Sequence, residues 1–391
     1  MGFVPASPAS LDMIRRLIAF DTVSRNSNLE LIEEVRGYLT GLGIESELAY
    51  DETGGKANLY ATLGPTDRPG IALSGHTDVV PIDGQDWSSD PFSVVERDGL
   101  LFGRGTSDMK SFIAVALALA PEFLARPIET PLHLCLSYDE EVGCLGVHGL
   151  MHLLESKAVR PRMCIVGEPT EMQVISGHKG KLSYRCHVRG HEAHSSLAHM
   201  GVNAVEAAAE TIAHMKSMAR RHRDHGPHDH DYSPPYTTIH TGVVQGGTAL
   251  NIVPKDCWFD FEFRHLPQDD PHALLAEVQQ FVTEKVEPEM HAFSTATGFT
   301  WERRSQIPGL AAAEDDEVVQ LVKALTGRNS TGKVAFGTEA GIFQEGGIPT
   351  VICGPGSIEQ AHKPDEFIAL SQIEECETFM RRLFQRCWSE A

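Results

Sequence analysis

Short apolar runs bounded by Gly and Pro alternate with amphipathic helical stretches along this chain, give way to a different texture after Gly180, and return from Ala311. The first stretch reads as helices over 11–20 and 29–42, strands over 58–63, 70–74 and 132–137, and an Ala-rich helix over 112–119. The middle stretch reads strand 181–188, helix 203–219, strands 237–244 and 257–263, helix 273–286 and strand 299–303. That β-α-β-β-α-β order predicts a ferredoxin-like α+β insert. The closing stretch reads helix 317–325, strands 333–336 and 350–353, and helix 371–387. With 391 residues the chain exceeds what one core usually supports. Two domains are expected: a discontinuous α/β domain, 1–179 and 306–391, interrupted by an insert over 180–305.

The net charge of -21 argues against a nucleic-acid partner, which needs clustered Lys and Arg. It suits metals and cationic ligands. The eight cysteines form no C-x-x-C pair, which fits a reducing compartment. Residues 1–10 lack a basic region followed by an apolar run, and no stretch reaches the ~20 apolar residues of a membrane span. The reading is a cytoplasmic protein with no membrane partner. His222, His225, His228 and His230 crowd residues 221–231, but Gly226 and Pro227 in the same stretch make it an exposed polar loop rather than a metal site.

Five potential metal ligands each follow an apolar run or a Gly-rich turn. His76 and Asp78 form an H-x-D at a strand end, where open α/β sheets collect functional groups. An imidazole binds a borderline metal, and a carboxylate two residues on is placed to take its other ring N–H. Asp108 closes a Gly-rich turn at a helix start, without the spacing of a phosphate loop, and reads as a bridging carboxylate. Asp139, Glu140 and Glu141 set three acids in succession, an arrangement that repels itself unless a cation sits among them. Glu168 and His362 complete the series. Two histidines and three carboxylates supply the donors of a two-metal hydrolytic site.

At these positions the sequence resembles the dinuclear-zinc aminoacylase and carboxypeptidase family, the M20-type metallopeptidases. The blocks are S-G-H-T-D-V-V, G-R-G-T-S-D-M-K, D-E-E-V-G, G-E-P-T, G-H-K-G, A-H-S-S, F-G-T-E-A-G and G-P-G-S-I-E-Q-A-H. The last two are most similar to the branch that deacetylates N-acetylornithine. The resemblance implies a zinc-aminopeptidase-like three-layer α/β/α catalytic domain with an inserted lid and dimerisation domain, and a homodimer. It implies that His76 and Glu168 bind one divalent ion, Glu141 and His362 the other, and Asp108 both, the ions being Zn2+ or Co2+. Asp78 would orient His76, Glu140 would be the general base, and His194 of the insert would stabilise the oxyanion. Asn251 and Arg264 would hold a substrate carboxylate, and the Asp108–Met109 peptide would be cis. Thr338 and Glu339, read from the residues themselves, lie in a Gly-flanked loop as substrate contacts, Glu339 either pairing with a cationic substrate amine or capping the following helix. The substrate implied is a small N-acyl amino acid, N2-acetyl-L-ornithine first, with N-succinyl-diaminopimelate or a broader range of N-acyl amino acids as the alternative. A metal-free binding protein on the same fold would lack Glu140 or a ligand, and all are present.

Overall fold

The computed structural model describes residues 6–389, which divide into two compact units. One comprises the residues up to Gly177, Leu310–Gly332 and those from Thr338 onward; the other comprises His178–Gly309 and Lys333–Gly337. Sequence reading gives no signal that the short segment 333–337 groups with the insert. Lys333 is held within that unit by Asp229 at 2.8 Å and Asp231 at 3.0 Å.

The first unit is built on a mixed sheet in the order Ser46–Tyr50, Ala57–Leu63, Leu132–Ser137, Ile71–His76, Met163–Val166, Thr350–Ile352, Ile175–His178, Leu310–Ala311. Ile71–His76 runs parallel to both its neighbours, and every residue in it and in Leu132–Ser137 is buried. Strands covered on both faces read as continuous apolar runs, which is why the sequence pattern located them without alternation. The helix Lys110–Leu124 packs on Ile71–His76 and against Pro8–Ile18 and Leu370–Cys387. Ser7 starts the helix Pro8–Ile18, its hydroxyl accepting from the Ser10 amide at 3.2 Å, with Pro8 in the first turn where its missing N–H costs nothing. This cap carries the helix three residues ahead of the expected start.

The second unit holds a four-stranded antiparallel sheet in the order Thr238–Gly246, Asp256–His265, Gly180–Arg189, Gly298–Ile307. With the helices Ala204–His225 and Pro271–Phe281 between them in sequence, these strands have the ferredoxin-like connectivity. Cys257, Phe259, Phe261 and Phe263 alternate inward from the central strand onto Ala208, Met215 and Met218 of the first helix and Leu274 and Val278 of the second. Asn203 caps Ala204–His225 by accepting from the amides of Val205 at 3.0 Å and Glu206 at 3.2 Å. The helix continues to His225, so the segment expected as a His-rich loop is in part helical, and His222 is buried on it. No helix among the described residues is long and apolar enough to cross a membrane.

Candidate metal centre

Five acids and two imidazoles meet at the ends of the central strands of the first unit. His76 is the last residue of Ile71–His76; its Nδ1 lies 2.9 Å from the Asp78 carbonyl oxygen, which leaves Nε2 facing Asp108 Oδ1 at 3.1 Å and Glu168 Oε1 at 3.9 Å. Glu168 follows Met163–Val166 through Gly167. A Cβ on Gly167 would fall 2.1 Å from the Phe112 ring, so only glycine lets this strand end approach the helix. Asp108 precedes Lys110–Leu124, and its peptide to Met109 is cis, as the sequence reading expects. Its other oxygen, Oδ2, lies 3.3 Å from His362 Nε2, which is 3.1 Å from Glu141 Oε2. His362 stands on a turn at φ 64°.

Two groupings of potential ligands result, His76–Asp108–Glu168 and Asp108–Glu141–His362, the ligand atoms of each lying within 4.8 Å of one another. Asp108 belongs to both. No histidine of the 221–231 segment belongs to either.

The donor set fits divalent cations on two grounds. Glu168 Oε1 is buried with no hydrogen-bond partner among the described residues, and an orphaned carboxylate oxygen is costly unless a cation meets it. The carboxylates also crowd one another. Burial, reinforced by Asp108, pushes Glu141 up to about 7. Burial raises Glu140 and Glu168 well above the ordinary range, opposed by His76 and reinforced by neighbouring acids. Burial works against the His76 imidazolium, yet bonds to Asp108 and Asp78 raise its pKa well above 6.5. His362 is raised to about 10 by Asp108 and Glu141. Protons therefore gather where positive charge is needed, and a cation binding there displaces them.

Asp78 faces His76 Nδ1 with two groups, its carbonyl oxygen at 2.9 Å and its carboxylate at 3.5 Å, an ion-pair distance. That carboxylate also accepts from Ser24 Oγ at 2.7 Å and from the backbone amides of Glu140 at 3.1 Å and Glu141 at 3.3 Å. It fixes the turn that presents both glutamates, a role that sequence spacing does not signal. Cys144 Sγ donates to Glu140 Oε1 at 3.4 Å from the same turn.

Thr338 and Glu339 are each 1% exposed, so the Gly-flanked segment that carries them is not an open loop. Thr338 Oγ1 accepts from the Ala340 amide at 3.1 Å. Glu339 lies beside the Ser137 and Ser74 hydroxyls without closing a hydrogen bond to either, and burial raises its pKa to about 7. The Gly-flanked sequence reads as an open loop; tertiary packing closes it.

The second unit carries His194, Asn251 and Arg264. Ala193–His194 pairs with Ile252–Val253, and the Ser195 amide donates to the Asn251 carbonyl at 2.9 Å, so His194 and Asn251 share one small ladder. His194 is exposed; its Nδ1 accepts from the Ser196 amide at 3.2 Å and faces the Ser196 hydroxyl at 2.8 Å, which leaves Nε2 without a partner among the described residues. Arg264, on Asp256–His265, donates from Nε to Glu262 at 3.0 Å.

Residues 72–386 match the profile of Peptidase family M20/M25/M40. The chain belongs to this family. It is 35% identical over 373 residues, 94% of each chain, to an acetylornithine deacetylase of Photorhabdus laumondii. It is 34% identical, over an alignment of 401 positions that covers 98% of each chain, to an acetylornithine deacetylase of Proteus mirabilis. Its fold is similar to that of an M20 family metallo-carboxypeptidase from Sulfolobus solfataricus, with a TM-score of 0.73, 18% identity, and coverage of 95% of this chain and 98% of that one. As an M20 member the chain is a metal-dependent hydrolase acting on amide bonds.

Proposed function

We propose that the chain hydrolyses N2-acetyl-L-ornithine to L-ornithine and acetate, a step of arginine biosynthesis. The observation that carries the chemistry is the pair of ligand groupings sharing Asp108, with Glu140 held beside them by Asp78. Support for the substrate comes from the two relatives above, both named acetylornithine deacetylase and similar over nearly their whole length.

His76, Asp108 and Glu168 would hold one ion and Asp108, Glu141 and His362 the other, as Zn2+ or Co2+, which suit imidazole and carboxylate donors. When bound, such ions lower the pKa of the attacking water and polarise the acyl carbonyl. Glu140 takes a proton from that water on its carboxylate and returns it to the leaving amine. Its raised pKa, set by burial first, is in the direction that makes a carboxylate a better proton acceptor. Asp78 keeps Glu140 and Glu141 in place through their amides. His194 donates to the carbonyl oxygen as charge develops there, and Asn251 and Arg264 hold the α-carboxylate, for which a planar guanidinium is suited. A homodimer in the cytoplasm belongs to the same reading and rests on family resemblance.

The test is a competition between N2-acetyl-L-ornithine and N-succinyl-LL-diaminopimelate at equal concentration. Preferential release of acetate supports the proposal, and preferential release of succinate overturns it.

A further inference from the structure

Glu366 ligates nothing, yet the turns that carry two of the ligands converge on it. Its Oε1 accepts from the amides of Ser107 at 2.8 Å and Asp108 at 3.0 Å; its Oε2 accepts from the Gly105 amide at 3.1 Å and Arg104 Nη1 at 2.7 Å. The Glu366 carbonyl takes the Gly103 amide at 2.9 Å. One carboxylate thus fills the concavity of backbone N–H groups that the turn 105–108 forms, as a bound anion would. Gly105, at φ 87°, makes that curvature possible.

The connection continues beyond Arg104. Its Nη2 donates to Gln85 Oε1 at 2.6 Å, its guanidinium stands 5.0 Å from the Trp87 ring, and Trp87 Nε1 donates to the same Gln85 oxygen at 3.0 Å. Gln85 Nε2 then donates to the His362 carbonyl at 3.0 Å. A parallel clamp joins the Ser88 amide and hydroxyl to Asp365 at 2.8 and 2.9 Å. A continuous set of hydrogen bonds therefore runs from the Asp108 amide to the His362 carbonyl, the two residues whose side chains meet at 3.3 Å.

Glu366 and Arg104 are each 1% exposed. A buried ion pair adds little stability over apolar residues of the same volume, and its best-attested use is to specify one arrangement.

We propose that Glu366, acting through Arg104 and Gln85, is a positioning residue that holds the Asp108 turn and the His362 turn at one separation, so that these two ligands are set before an ion arrives. The proposal rests on the metal reading of the two groupings. Groups that orient a ligand typically change metal affinity about tenfold to a hundredfold when removed.

The test titrates metal-stripped wild type, Gln85→Ala and Glu366→Gln with Zn2+ by calorimetry. Gln85→Ala, at a half-buried position, cuts the link to His362 and leaves the Glu366–Arg104 pair intact. One of its two binding steps is expected to weaken about tenfold to a hundredfold, the other staying within about threefold of wild type. In Glu366→Gln both steps weaken, because Asp108 belongs to both groupings. Hydrogen exchange without metal supplies a second readout: the Ser107 and Asp108 amides exchange faster in Glu366→Gln and unchanged in Gln85→Ala. Wild-type affinity at both steps in Gln85→Ala, or equal weakening of both, overturns the proposal, and so does unchanged amide exchange in folded Glu366→Gln. A wild type that binds no Zn2+ sinks the metal reading beneath it instead.

Discussion

Asp78→Asn preserves the size of a buried side chain while removing one acceptor from a carboxylate that three donors share. Those donors are Ser24 Oγ at 2.7 Å and the amides of Glu140 at 3.1 Å and Glu141 at 3.3 Å. An amide side chain has one acceptor oxygen, and its NH2 group must face one side of this arrangement. A serine hydroxyl can rotate to accept, but a backbone N–H cannot, so at least one amide of the Glu140–Glu141 turn is left facing a donor. A hydrogen bond to a charged group contributes about 1.5–3 kcal/mol. If that loss falls on the placement of the two glutamates, kcat/KM for N2-acetyl-L-ornithine drops roughly tenfold to 150-fold, mostly in kcat. Initial rates at saturating metal, with thermal unfolding measured alongside, provide the check. Activity within about threefold of wild type, with metal content unchanged, would refute the reasoning and show that the turn is held by other contacts.

Glu140→Gln retains the ions, since Glu140 lies in neither ligand grouping, but lowers kcat by about 10²–10⁴; metal analysis and steady-state rates check both halves. His194→Ala lowers kcat by about 10²–10³ with the metal content of wild type, and unimpaired turnover would remove His194 from the oxyanion role. His133, bonded to the Tyr60 hydroxyl at 2.8 Å, has its pKa lowered by burial from 6.5 to about 4. Its neutral form is favoured in the folded state, so its stabilisation is present above pH 6.5 and lost as pH falls through 4. The loss amounts to about 3 kcal/mol. Unfolding free energies of His133→Phe should fall less steeply than those of wild type from pH 6.5 to 4; parallel curves would contradict this.

The central strands were legible because burial on both faces leaves continuous apolar runs, and the ligands because each ends such a run or a Gly-rich turn. What the sequence hid is tertiary. Asp78 offers both a backbone carbonyl and a carboxylate to the His76 ring, and spacing cannot say which of them lies nearer. Glu339 sits between glycines that read as a loop, and only packing reveals its burial. Glu366 meets the Asp108 amide across 258 positions of sequence, so no local pattern announces it. The helix Ala204–His225 ran past its expected end because Gly226, at φ 75°, stops it only after the His-rich stretch has begun.

Metal content determined together with the initial rate on N2-acetyl-L-ornithine, before chelation, after it and after metal restoration, joins the site to the substrate in one measurement. About two ions per chain, turnover abolished by chelation and regained on adding Zn2+ or Co2+ is the result expected. Turnover that survives complete removal of the ions would contradict a two-metal hydrolase, and two bound ions without acetate release would contradict the substrate.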